Sequence, residues 1–152
     1  MRVLLQRVMR AAVHVEGREV GAVGHGLLAL VCALKGDTAD EARQLAAKVA
    51  RWRCFGDAEG RMNLDVTQVG GAVLVVSQFT LAADGTRGHR PSFDRAAEPV
   101  VASALVETFR AELEALGVPT ASGQFGARMQ VELLNDGPAT FLLERAPSAA
   151  PT

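Results

Sequence analysis

The sequence predicts a single mixed α/β domain in which a sheet is covered by two long helices. Three observations carry that class. Thr38-Ala39-Asp40-Glu41 is a capping box followed by apolar residues at helical spacing. The stretch from Ala96 to Leu116 repeats that spacing, and Ala72-Val73-Leu74-Val75-Val76 is an unbroken apolar run of the kind buried on both faces of a sheet. The chain of 152 residues suits one core, and 49% hydrophobic with 22% charged residues belongs to a globular protein.

Taken in order, Val3-Leu4-Leu5 and Val13-His14-Val15 read as strands, Glu16-Gly17-Arg18 as a turn, and Gly26 as the opening of a third strand through LLALVCAL. The capped helix runs to about Arg53, with Trp52 continuing its apolar stripe and so assigned to the core. Gly56, Gly60 and Gly70-Gly71 punctuate short segments before AVLVVSQFT, a central strand with an unusual polar end. Residues 83–95 form a long loop whose Arg87, His89, Arg90 and Arg95 either meet phosphates or are simply solvated; composition does not choose. In the second helix Val101, Leu105, Phe109, Leu113 and Leu116 form the apolar face, and Gly117 and Pro119 stop it. ARMQVELL then alternates, NDGP reads as a hairpin turn, and ATFLLER resumes a strand. The domain is expected over 1–145, with 146–152 a disordered tail.

Much chemistry is unsupported. A formal charge of −1 gives no global attraction for nucleic acid, although fourteen of the sixteen basic residues are Arg, the better phosphate ligand. Cys32 and Cys54 are the only cysteines and form no CxxC, which fits a reducing, cytoplasmic setting rather than a disulfide framework or a zinc site. His14, His25 and His89 are scattered, GxSxG and HExxH are absent, and no P-loop or dinucleotide fingerprint occurs. No metal, cofactor or membrane segment is therefore expected.

Two polar motifs remain, each beside an apolar strand. Ser77-Gln78-Phe79-Thr80 taken alone reads as hydroxyls and an amide tying off a strand end, and Asn135-Asp136-Gly137-Pro138 as a turn. Together, SQFTL and NDGPAT resemble the signature pair of the D-aminoacyl-tRNA deacylases. The resemblance extends over LLQRVMRAAVHVEG, FGDAEGRMNLDV, RGHRPSFDRA and FGARMQVELLNDGP, leaving out only the tail from about Ala146.

The resemblance implies a barrel-like β structure with two long helices, assembled as a homodimer with active sites at the subunit interface. It implies hydrolysis of the ester joining a D-amino acid to the terminal adenosine of tRNA, and of glycyl-tRNA, including that mischarged on tRNA-Ala. By position, Ser77, Gln78, Phe79 and Thr80 would line the pocket for adenosine and aminoacyl group, with main-chain N–H groups near Phe79 and Thr80 facing the ester. Thr80 looks like a nucleophile, but no base is at hand, so water attack assisted by the substrate's 2′-hydroxyl is expected instead. Gly137-Pro138, a cis peptide in the family, would reach with Asn135 into the partner's pocket as a chiral filter, supported by Arg7; Phe125 and Met129 would sit near the adenosine. Ala139 departs from the larger β-branched residue expected there. Rival readings are an L-alanyl-tRNA-specific deacylase of the same fold, against which Ser77 and Phe79 argue, a non-catalytic RNA-binding module using the basic loop, and a plain interaction domain.

Overall fold

The structure, a computed structural model, describes residues 1–148. β1 (Arg2–Val15) is one long strand rather than two short ones, with Val3, Leu5, Val8, Ala11 and Val13 buried along it. One of its edges pairs antiparallel with β2 (Arg18–Val23) and β3 (Gly26–Cys32); the other pairs with β8 (Gln130–Glu144). β6 (Ala72–Ser77) runs parallel to β3, and the short β7 (Thr120–Ser122) parallel to β6. β4 (Phe55–Gly56) and β5 (Met62–Leu64) form a separate two-stranded ribbon.

The order β2-β1-β3-β6-β7 curls until its two ends meet. At Gly21 a β-carbon would stand 2.2 Å from the Ser122 carbonyl oxygen, so only glycine lets β2 approach β7 this closely. The result is a nearly closed barrel with two cores. Val8, Ala11, Val13, Leu28, Leu74 and Val76 fill its interior. Their neighbours along the strands, among them Leu27, Val31, Val73 and Val75, point outward beneath the helices. Period-two alternation thus explains why β3 and β6 are apolar at nearly every position.

The first helix, α1 (Ala39–Ala50), starts at the expected capping box: Thr38 Oγ1 accepts from the Asp40 N–H at 3.3 Å, and Glu41 Oε2 accepts from the Thr38 N–H at 2.8 Å. It ends three residues before Arg53, and Trp52 packs edge-on against Phe141 with centroids 5.7 Å apart. Glu41 is fully buried, and its other oxygen accepts from the Ser148 N–H and hydroxyl, both at 3.0 Å. The Thr38 hydroxyl foremost, then these N–H donors, hold the Glu41 carboxyl down at about 2. Of the tail expected to be disordered, Ser148 is thus hydrogen-bonded to α1, while residues 149–152 lie outside the described residues.

The second helix, α2 (Pro99–Ala115), opens on a proline, whose missing N–H costs nothing in the first turn. Ala102, Leu105, Phe109 and Leu113 form its buried face. Val101, assigned to that face from the sequence, is 47% exposed, because one residue's offset from Ala102 turns it about 100° round the helix. Leu116, also assigned there, lies beyond the last helical residue and is 37% exposed. No helix among the described residues is long and apolar enough to cross a membrane.

Candidate active site

The strand β6 ends where its ladder ends: the Gln78 N–H donates to the Val31 carbonyl at 2.8 Å, and the chain then folds into a 3-10 turn, Phe79–Ala82. Only the later N–H groups of the turn are used, Leu81 donating to Gln78 and Ala83 to Thr80. The N–H groups of Phe79 and Thr80 have no backbone acceptor among the described residues, as expected at the start of any helical turn. The Thr80 hydroxyl accepts from the Gln78 side-chain amide. An amide N–H cannot take a proton, so the hydroxyl's one hydrogen-bond partner among the described residues is no base.

Two groups lie beneath the turn's carbonyls. Arg2 Nη1 donates to Leu81 O at 2.7 Å, and the Cys32 thiol, with one proton to give, stands 3.7 Å from both Phe79 O and Ala33 O. Burial pushes the Cys32 thiol up, which keeps it protonated as a donor. Arg2 Nε stands 2.6 Å from Glu144 Oε1, off a hydrogen-bonding line, and so completes an ion pair without a hydrogen bond. Neither residue announces itself in the sequence. The cross-strand pairing of Arg2 with Glu144 becomes visible only once β1 and β8 are in register.

Beside the turn lies a cavity of about 700 Å³ at the carboxyl ends of the parallel strands β3 and β6, the usual place for a ligand beside parallel strands. Its volume lies in the range of small-ligand sites. Ser77, Gln78, Phe79, Phe125 and Met129 line it; Thr80 does not. Phe93, which the sequence reading left in the basic loop without a role, lines it too and packs edge-on against Phe79 with centroids 5.2 Å apart. Lys35, Asp94 and Glu98 supply its charged lining. A smaller cavity of about 220 Å³, lined in part by Ser77, Ser103, Ser122 and Phe125, adjoins it through the shared Ser77 and Phe125. No three His, Cys, Asp or Glu side chains among the described residues are grouped as metal ligands.

Asn135 to Pro138 is not the hairpin turn that its residue types suggest. Both flanks of the segment pair antiparallel with β1, Asn135 opposite Val8 and Thr140 opposite Gln6, so the strand continues in one direction and residues 136–139 bulge out opposite Arg7 alone. Asn135 Nδ2 staples the bulge, donating to Arg7 O at 3.0 Å and Ala139 O at 3.1 Å. Arg7 Nε donates to Asp136 O at 3.1 Å and stands 3.2 Å from the Asp136 carboxylate, while Nη1 donates to Cys54 O. The Gly137–Pro138 peptide is cis, as the family resemblance implied. Gly137 has φ +138°, and a β-carbon there would lie 2.9 Å from Ala139 N and 3.0 Å from Arg7 Nη2. Ala139 is buried under the bulge, while Gly137 and Pro138 are exposed. Neither of them, nor Asn135 or Arg7, lines either cavity of the same chain.

Fold and site define a class: a small mixed α/β barrel with a ligand-sized cavity beside two N–H groups that have no backbone acceptor among the described residues. The family follows from comparison. Residues 4–144 match the family described as D-Tyr-tRNA(Tyr) deacylase. The D-aminoacyl-tRNA deacylase of Cereibacter sphaeroides is 56% identical over 144 residues, covering 95% of this chain and 99% of its own, and that of Chloroflexus aurantiacus is 52% identical over 146 residues, covering 96% and 91%. Among solved structures, one titled c-Myc DNA Unwinding Element Binding Protein superposes with TM-score 0.91 at 34% identity, covering 96% of this chain and 99% of its own. A probable eukaryotic D-amino acid tRNA deacylase shares the fold with TM-score 0.82 at 18% identity, covering 93% of this chain and 97% of its own. The chain belongs to the D-Tyr-tRNA(Tyr) deacylase family, whose members are hydrolases acting on ester bonds.

Proposed function

We propose that this chain hydrolyses the ester of D-aminoacyl-tRNA, releasing the free D-amino acid and tRNA, and that it does so with main-chain groups. The observation that carries the reading is the cavity beside the free N–H groups of Phe79 and Thr80, in a chain of the deacylase family. The terminal adenosine enters between Phe125 and Met129, and the ester carbonyl lies against the turn. As water adds, the carbonyl oxygen gains negative charge, which the two N–H dipoles stabilise without reorganising. With no protein base beside the ester, the ribose 2′-hydroxyl of the substrate orients the water.

Chirality is read by a second copy of the chain. Among the described residues β8 pairs with β1 alone, and Leu134 and Leu142 along it, with Met9 on β1, are each about half exposed, apolar surface that a partner could cover. In a homodimer Gly137-Pro138 of one protomer would face the cavity of the other, its carbonyls holding the substrate's amino group and its bulk filling the direction of an L side chain. Such a filter ignores side-chain type, so it admits many D-residues. It also admits glycine, which has no β-carbon, including glycyl-tRNA mischarged on tRNA-Ala. The setting is cytoplasmic.

Side-by-side hydrolysis of D- and L-tyrosyl-tRNA tests the reading. Turnover of the D-ester alone is expected; equal rates would refute the filter. A second reading, nucleic-acid binding without turnover, draws on the exposed basic loop, and one structural relative is named for binding DNA. Salt-sensitive binding with no hydrolysis of either ester would favour it.

A further inference from the structure

The basic loop is built as a finger, and its root belongs to the cavity. Asp84 and Ser92 exchange two backbone hydrogen bonds, Asp84 N–H to Ser92 O at 2.8 Å and Ser92 N–H to Asp84 O at 3.0 Å. They close a hairpin whose tip is residues 85–91. Asp84 Oδ1 accepts from the Thr86 N–H at 2.9 Å, which fixes the first limb. That bond, and more weakly the nearby Arg95, hold the Asp84 carboxyl below its ordinary range, so the one acid at the neck is already engaged. Past the neck, Phe93 lines the cavity and packs on Phe79. The return limb is then tied to the exit of β3: the Lys35 N–H donates to Arg95 O at 2.9 Å, and Leu34 bridges Ala96.

The charge at the finger's tip is of one sign. The tip holds Arg87, His89 and Arg90 and no acidic residue, and all three are exposed. Arg87, Arg90 and Lys35 meet no carboxylate among the described residues, in which they resemble Arg18, Arg51, Arg53, Arg61, Arg95, Arg128 and Arg145; what sets them apart is their place on and beside the finger rooted at the cavity. Asp94 and Glu98 line the cavity beside Lys35, so the lining itself is of mixed sign, and the finger tip is the stretch with cations only. Unpaired cations exposed on a hairpin anchored to a ligand cavity are placed to hold the charged continuation of whatever the cavity binds.

We propose that Lys35 and the finger's Arg87 and Arg90 form a phosphate track that grips the phosphodiester backbone just 5′ of the terminal adenosine, so that affinity for the nucleic-acid part of the substrate resides here and chemistry resides at the turn. The proposal rests on the tRNA-ester reading above. It assigns the phosphate contacts to this rim.

The test compares wild type with the double variant Arg87→Gln/Arg90→Gln, and separately with Lys35→Gln. Two substrates are used: D-tyrosyl-tRNA, and D-tyrosyl-adenosine, which has no phosphate. Each neutralised phosphate contributes about 0.7–0.9 to the slope of log affinity against log salt. The double variant should therefore flatten the salt dependence of kcat/KM on the tRNA ester by about 1.5 and Lys35→Gln by about 0.8. KM on the tRNA ester should rise for the double variant, with its hydrolysis of D-tyrosyl-adenosine unchanged. Wild-type slope in the variants overturns the track, and so does equal loss on both substrates, which would mark the finger as structural. If wild type hydrolyses neither ester, the functional reading fails. The track is then decided by the salt slope for binding uncharged tRNA: a flatter slope in the variants upholds it, and an unchanged slope overturns it.

Discussion

The turn after β6 and the bulge within β8 both supply main chain to the proposed site, but they are held in opposite ways. The turn grows out of a strand buried on both faces; Arg2 grips its Leu81 carbonyl from below, and the Cys32 thiol lies beneath Phe79 O. The bulge leaves an outer strand of the sheet, exposes Gly137 and Pro138, and is gripped from the side by Asn135 and Arg7. One strand serves both, since Arg2 and Arg7 stand on β1. Charged side chains thus act here by shaping main chain, and the two regions differ in how much else supports them. The turn would keep its neighbours if one clamp were lost. The bulge has four residues opposite one and little beneath it but Ala139.

The largest effect should therefore come from the bulge. In Gly137→Ala the new β-carbon must displace Ala139 N or the Arg7 guanidinium, at a φ that L-residues rarely adopt. Misplacement of positioning groups by about 1 Å can cost on the order of 100-fold. We expect a loss of that order in kcat/KM on D-tyrosyl-tRNA, with discrimination against the L-ester weakened and the melting temperature lowered by several degrees, as backbone strain of about 1–3 kcal/mol requires. Steady-state kinetics on both esters, alongside a melting curve, would check it. Undiminished chiral discrimination in this variant would remove the bulge from the site.

A middling effect is expected at the turn. Arg2→Met removes one hydrogen bond from a charged donor, of a kind worth about 1.5–3 kcal/mol, while the β6 ladder and Cys32 remain. The turn then samples other positions, and kcat should fall roughly tenfold with KM nearly constant, because the adenosine wall is untouched. Arg2→Lys should recover most of the loss, since a single donor suffices at 2.7 Å. A rise in KM with kcat intact would mean that Arg2 supports binding and not the turn.

This contrast also explains what the sequence revealed. The capping box at Thr38, the buried run into β6 and the polar residues at its end follow local rules and were legible. Ser77, Gln78, Phe79, Phe125 and Met129, grouped by family position, line one cavity. Asn135 to Pro138 misled, because Asn, Asp, Gly and Pro favour reversal, whereas here the Asn135 side chain satisfies carbonyls on both sides of a bulge and lets the strand go on. Arg2 and Lys35 could not be found at all. Each acts through a neighbour more than forty positions away in sequence, Leu81 for the one and Arg95 for the other, and no local pattern records such contacts.

The smallest effect separates backbone from side chain within the turn itself. Thr80→Ala deletes the hydroxyl yet leaves the N–H, and the hydroxyl is an acceptor for Gln78 that stands outside the cavity lining. If the N–H groups carry the chemistry, activity should stay within about tenfold of wild type, the cost of one side-chain hydrogen bond and some freedom at Gln78. A nucleophilic hydroxyl would behave differently: its removal would abolish turnover while tRNA binding persisted. Single-turnover rates on D-tyrosyl-tRNA distinguish the two outcomes, because a tenfold change and a complete loss lie far apart on that scale. Complete loss with binding retained would return the chemistry to the side chain, and the turn would then resemble an ordinary nucleophile site lacking only a visible base. Substantial residual activity leaves the main chain as the shared working element of turn and bulge, with every polar side chain around them, Gln78 and Arg2 on one side, Asn135 and Arg7 on the other, employed in holding it.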